Sequence, residues 1–246
     1  MMTGPALAQS LTIDLGGGVG EGGGDATGAT AAPTLTGRVV QLFLIVTVLS
    51  MAPGIAVMIT CFPFMLTVLA ILRQGLGLQA SPPSMLLVSL ALFLTWYVME
   101  PVFTDAWNAG ISPLMEGQLS PEEAFAPTIE PFRQFMAARV DPDTLAELAN
   151  ALPRAEERTM PQSAESAALS LLIPAFMLSE IARAFTIGFM LFLPFVIIDL
   201  VVASILMSMG MMMVPPIVVS LPLKLAFFVV ADGWALVAAA LVRGYS

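Results

Sequence analysis

The chain has 246 residues, 58% of them hydrophobic and 11% charged, with a mean hydropathy of +0.90, whereas soluble domains run near ~25% charged. That excludes an ordinary soluble domain and indicates an integral membrane protein, or one buried in a greasy assembly. The formal charge of −9 argues against nucleic acid, the absence of histidine removes the commonest general base and metal ligand, and the single cysteine, Cys61, excludes an intramolecular disulfide or thiolate cluster.

Residues 1–36 are polar and rich in Gly, Ala and Thr, without periodicity, and read as disordered. Ala6-Leu7-Ala8 before Gln9 resembles the end of a secretory signal, but neither a basic n-region nor an apolar stretch precedes it. A truncated start and a chance match both remain open, with truncation preferred because a membrane block follows.

Residues 37–103 hold the first two hydrophobic blocks. The run from Val39 to Leu72 exceeds the ~20 residues of one span and is interrupted by Pro53-Gly54 and Pro63, which predicts a bent helix or a broken pair closed by Arg73. Gln74 to Pro83 reads as a short turn. Ser84 to Phe103 fits one span, with Trp96 and Tyr97 as interface anchors and Glu100-Pro101 marking its exit.

Residues 104–166 differ in kind, with eleven acidic residues against Arg133, Arg139, Arg154 and Arg158. TIEPFRQFMAARV predicts an amphipathic helix with Ile129, Phe132, Phe135 and Met136 on one face. DPDTLAELANAL predicts a second, with Asp141 as cap and Pro142 at its first position. This acidic, mostly helical excursion is expected on the extracytoplasmic side, its acidity being a solvated face.

Residues 167–246 hold the third and fourth blocks. Leu169 to Met209 is again too long for a plain span, with Pro174 and Pro194 as candidate kinks, and Val214 to Leu241 carries Pro215, Pro216 and Pro222 near its start. Five charges lie within the apolar run 174–234: Glu180, Arg183, Asp199, Lys224 and Asp232. Charges in such a run face a protein interior or a wet cavity rather than lipid. Glu180 and Arg183 share a helical face, either as a subunit contact or pore ring or as a locally satisfied pair. Asp199 and Lys224 flank a methionine turn and could pair within the hairpin or between subunits, with Asp232 closing the network. Ser204 and Ser208 have small-xxx-small spacing, a device for helix assembly.

Met209, Met211, Met212 and Met213 cluster around Gly210, ahead of Pro215-Pro216. Methionine is unbranched and soft, so such a cluster can close around objects of varying shape, and the prolines hold the loop out of helical geometry. The plainer reading is a Met-rich membrane turn. No phosphate-binding glycine motif and no acid/base constellation occurs, so no catalytic residue, cofactor or metal is expected.

The segments LRQGLGLQASPPSMLLVSLALFLT (72–95), IPAFMLSEIARAFTIGFMLFLPFVIIDLVVASILMSMGMMMVPP (173–216) and SLPLKLAFFVVADGW (220–234) resemble the FliP family, a core membrane component of the flagellar type III export apparatus with the SctR group as its injectisome counterpart. The resemblance spans about residues 37–244. It implies an all-α protein of kinked hydrophobic hairpins with an extracytoplasmic helical insertion, in the bacterial inner membrane at the flagellar basal body. It further implies a homo-oligomer, a pentamer, built with FliQ-like and FliR-like membrane subunits around a pore for unfolded export substrates. Met209, Met211, Met212 and Met213 would then form the pore gasket, and Glu180, Arg183, Asp199, Lys224 and Asp232 would set interface and hairpin register. Two positions depart from the family pattern. Phe64 stands where a basic residue is common, and the cation of Ser179-Glu180-Ile181-Ala182-Arg183 is displaced by one residue, which turns it by about 100° on a helix. The rival reading is a stand-alone proton- or ion-coupled transporter or channel using Asp199 and Asp232. A third is an assembly scaffold whose Met loop does not touch a lumen.

Overall fold

The computed structural model describes residues 35–78, 82–151, 163–211 and 213–245. The segment read as disordered, up to residue 34, lies outside the described residues, as does Met212. Among those described, every regular element is helical. In chain order they are α1 (Leu35–Met58), α2 (Phe62–Gly75), α3 (Ser84–Ala106), a π-helical turn (Trp107–Ile111), α4 (Ser112–Met115), α5 (Pro121–Ala137), α6 (Pro142–Ala151), a 3-10 turn (Ala164–Ser166), α7 (Leu169–Ser208), α8 (Pro216–Val230) and α9 (Gly233–Arg243). The chain is an all-α protein.

It divides into two compact units, Met1–Val46 and Thr47–Ser246. In the first, the described residues begin α1, and Val39, Leu42 and Phe43 there are exposed. Everything that follows concerns the second.

The first hydrophobic block is a broken pair, but the break falls at residues 59–61 rather than at Pro53-Gly54, which α1 runs through. Pro63 lies in the first turn of α2, where a missing N–H leaves no helical bond unmade. α2 is 14 residues, about 21 Å, too short to cross a bilayer, and Phe64, Met65, Val68, Leu69 and Leu72 on it are at most 2% exposed. It is the core helix against which α3 and α7 pack. α7 comes close at Gly188, where an added Cβ would strike Ile71, and Ala184 one turn earlier is fully buried. Two residues past the end of α2, Gly77 at φ +76° stops it, with Leu78 N donating to Arg73 O at 3.3 Å and Gly77 N to Gln74 O at 3.0 Å, a left-handed glycine stop. Arg73 then donates to Pro82 O and Ser84 Oγ, tying the turn to α3.

Pro101 does not end the second block, because α3 continues through it to Ala106 and into the π-helical turn. α5 starts earlier than the amphipathic pattern shows. Ser120 and Glu123 form a reciprocal capping box, with Pro121 at the first position. α6 is capped as read, Thr144 N donating to Asp141 Oδ2 at 3.0 Å. Met136, Val140, Leu145 and Ala149 from this excursion make a second core with Leu171, Leu172, Ala175 and Phe176 of α7. Arg133 fastens the other end, donating to Ala167 O at 2.8 Å.

That second core accounts for the length of the third block. α7 has 40 residues and includes both Pro174 and Pro194, about 60 Å if straight, twice the ~30 Å of a hydrocarbon core. Its first two turns belong to the acidic excursion, and the rest carries the apolar hairpin. The fourth block breaks where no proline signals it. α8 and α9 meet at a 62° bend, with Asp232 left-handed at φ 50°. Gly233 follows because a Cβ there would overlap the Phe228 ring, which Trp234 meets edge-on at 5.2 Å. Among the described residues, Ser84–Met115 and Leu169–Ser208 are long and apolar enough to cross a membrane, and α8 with α9 forms a further, bent candidate.

Candidate functional site

Three features take in the residues singled out in the sequence, Asp232 excepted: two charged nodes at different levels of α7 and the methionine turn at its end.

The first node centres on Glu180, which is 0% exposed. Arg183, one turn along α7, approaches it at 3.4 Å, as i,i+3 spacing allows. Arg139, from the turn between α5 and α6, reaches the same carboxylate oxygen at 3.3 Å. The Tyr245 hydroxyl donates to the other oxygen. The Arg139 guanidinium lies 3.6 Å over the Tyr245 ring and donates to Gly244 O at 3.1 Å, while Arg183 donates to Arg139 O at 3.4 Å. Beside them Asp141 N donates to Ser179 Oγ at 2.9 Å. A carboxylate without water is tolerated when charged and hydroxyl donors fill its lone pairs, and three segments converge here to do so: α7, the α5–α6 turn and the residues after α9.

The second node joins α7, α8 and the end of α2. Lys224 is 3% exposed; its Nζ donates to Asp199 Oδ2 at 2.6 Å and to Gly75 O at 3.1 Å. Gly75 ends α2, so Lys224 supplies a cation and a donor to carbonyls that the helix leaves unpaired. Asp199 Oδ1 and the Ser220 hydroxyl, one turn before Lys224, are buried without a hydrogen-bond partner among the described residues. Asp199 as a whole is not enclosed: its side chain is 44% exposed. Asp232 stands apart from this node, exposed at the α8–α9 bend and in no ion pair among the described residues.

The methionine turn is a second left-handed glycine stop. Gly210 has φ +74°, with Gly210 N donating to Met207 O and Met211 N to Leu206 O, both at 3.0 Å. Pro215 and Pro216 then start α8 at once. Between these fixed ends Met209 is 67%, Met211 42% and Met213 96% exposed. Met212 lies outside the described residues.

Cys61 is fully buried, and desolvation pushes its thiol up to about 12, so it is a packed apolar group rather than a nucleophile. Ser204 and Ser208 are exposed and bond back to their own helix. Arg139 and Tyr245 carry half of the first node and were not singled out in the sequence. They lie 41 and 65 residues from Glu180, where no local spacing rule reaches.

A sequence profile described as the FliP family matches residues 45–241. The flagellar biosynthetic protein FliP of Caulobacter vibrioides is 48% identical over 246 residues, 100% of this chain and 86% of that protein. The FliP of Rhizobium meliloti is 47% identical over 207 residues, 84% of each chain. That of Bacillus subtilis is 41% identical over 217 residues, 88% of this chain and 96% of its own.

Proposed function

The chain belongs to the FliP family, and from that premise we propose that it is a non-enzymatic subunit of the flagellar protein-export gate, forming with copies of itself and FliQ- and FliR-like membrane partners a pore for unfolded substrates. The bacterial inner membrane would house it at the basal body, with the acidic excursion on the extracytoplasmic side. The observation that carries this reading is the methionine turn. Met209 and Met213 project 67% and 96% exposed from a backbone fixed by Gly210 on one side and two prolines on the other. Soft side chains held out between a glycine stop and a proline start suit a seal that must yield to a passing chain and close against ions.

In the assembled gate the two charged nodes set register. Glu180 locks the excursion to α7, and Lys224 locks α8 to α7 and α2. Arg183 and Asp199 are each partly exposed, at 40% and 44% of their side chains, so each pair offers an outer edge to a neighbouring subunit. Asp232 sets the bend by which α9 returns to the bundle.

The decisive experiment replaces Met209, Met211, Met212 and Met213 by Ala in the assembled complex and measures ion leakage across the membrane. Leakage should rise while assembly is retained. Leakage at the wild-type level in a correctly assembled complex would falsify the seal.

A further inference from the structure

The Glu180 node contains a contact that the export reading does not use, between the short segment after α9 and the base of the acidic excursion. Tyr245 meets four groups from three other parts of the chain. Its hydroxyl donates to Glu180 of α7, its face carries the Arg139 guanidinium at 3.6 Å, and its ring stacks on Phe135 of α5 at 6.2 Å. Phe64 of α2 meets it edge-on at 5.3 Å. Gly244 adds its carbonyl to Arg139 at 3.1 Å.

These contacts sit at a seam. On one side lies the α2-centred core; on the other, the core that α5 and α6 build with the start of α7. Remove Tyr245, and Glu180 and Arg139 keep each other but lose the hydroxyl, the ring face and the Phe64–Phe135 bridge together.

We propose that Tyr245 is a positioning residue that closes a latch over Glu180, locking the acidic excursion to the helical core, and that its release loosens the α5–α6 turn without opening the Asp199–Lys224 node. The latch is where the two cores meet: Phe64 belongs to the α2-centred core, and Phe135 packs against both. It does not depend on what passes through the protein.

Cys61 provides a native reporter. It is the single cysteine of the chain, it is 0% exposed, and it caps the α2 turn that carries Phe64. The test measures maleimide labelling of Cys61 in the full chain in its membrane complex, for Tyr245→Ala, Tyr245→Phe and the unaltered protein. Amide exchange is followed in parallel over residues 137–151 and 199–224. A hydrogen bond to a buried charge commonly shifts a local opening equilibrium by about tenfold or more. Tyr245→Ala should therefore label at least about tenfold faster, Tyr245→Phe at an intermediate rate, and exchange should quicken over 137–151 alone. Unchanged labelling in Tyr245→Ala overturns the latch. So does Tyr245→Phe indistinguishable from the unaltered protein, since the ring would then be the whole contact. Exchange quickening equally over 199–224 also overturns it, as general loosening. If Tyr245→Ala does not assemble, Tyr245→Phe carries the test.

Discussion

Glu180 has no contact with water, yet Arg139, Arg183 and Tyr245 give it three donors. Taking the carboxylate away leaves two guanidiniums facing a gap, and removing one partner of a buried pair costs about 3–5 kcal/mol. Glu180→Ala should therefore lower the thermal midpoint of the detergent-extracted chain sharply, and Glu180→Gln, which keeps the volume, should lower it less. The Asp199–Lys224 pair is better tested by a cycle, because Asp199 is half open and Lys224 also serves Gly75 O. Asp199→Asn combined with Lys224→Met should show a coupling of about 1–3 kcal/mol in unfolding, and additivity of the two changes would remove the pair from any account of register. What could be read from the sequence here follows from distance along the chain. Glu180 and Arg183 are one helical turn apart, so their meeting is local geometry. Asp199 and Lys224 lie at similar spacing on either side of a turn, so their meeting needs only a hairpin. Arg139 and Tyr245 are brought in by tertiary folding, and nothing in their own neighbourhoods announces it.

At the scale of elements, helix ends were more legible than helix environments. Asp141-Pro142 and Gly77 announce their caps because capping is chemistry of a few adjacent residues. The role of α2 was hidden, since hydropathy reports an apolar helix without saying whether protein or lipid surrounds it. The close approach of α7 to α2 at Ala184 and Gly188 has the same spacing as Ser204 and Ser208, which face outward, and spacing alone does not tell the two apart. Gly188→Leu should drive a side chain into Ile71 and separate α2 from α7, an overpacking cost of about 1–3 kcal/mol readable as a lower thermal midpoint, whereas Ser204→Leu should be near neutral. The excursion adds a pH dependence. Hydrogen bonds from Ser120 hold the Glu123 carboxyl below its usual range, and those from Thr144 do the same for Asp141. A carboxyl lowered in the folded state stabilises above its unfolded value, near ~4, and loses that contribution as pH falls through the folded value. Helix content of the excursion should hold from neutral pH to about 4 and then decline, and Glu123→Gln should flatten the decline at α5. Circular dichroism across that range, with proteolysis to localise the change, checks it.

At the scale of the whole molecule the surface is the problem to be solved. Phe185, Phe189, Leu193, Val196 and Leu200 run at three- and four-residue steps down α7, and each is at least 41% exposed. Such a stripe needs a cover. Lipid and a neighbouring subunit would both serve, and they answer differently to a charge. A charge facing lipid costs several kcal/mol and disturbs insertion itself. One facing a protein neighbour leaves the chain in the membrane and breaks the contact. In the proposed gate the stripe is an interface. Extracted gently from cells that also produce its membrane partners, the chain should therefore migrate as a ring of several copies carrying smaller helical subunits. Phe189→Glu should leave it membrane-inserted but reduce the native mass to that of single subunits or small fragments of the ring. Loss of insertion in that variant would assign the stripe to lipid. A monodisperse monomer or dimer from the unaltered chain that moves ions in liposomes would overturn the gate and return attention to Asp199 and Asp232, because lipid would then be the cover of the stripe and no neighbouring copy would be needed.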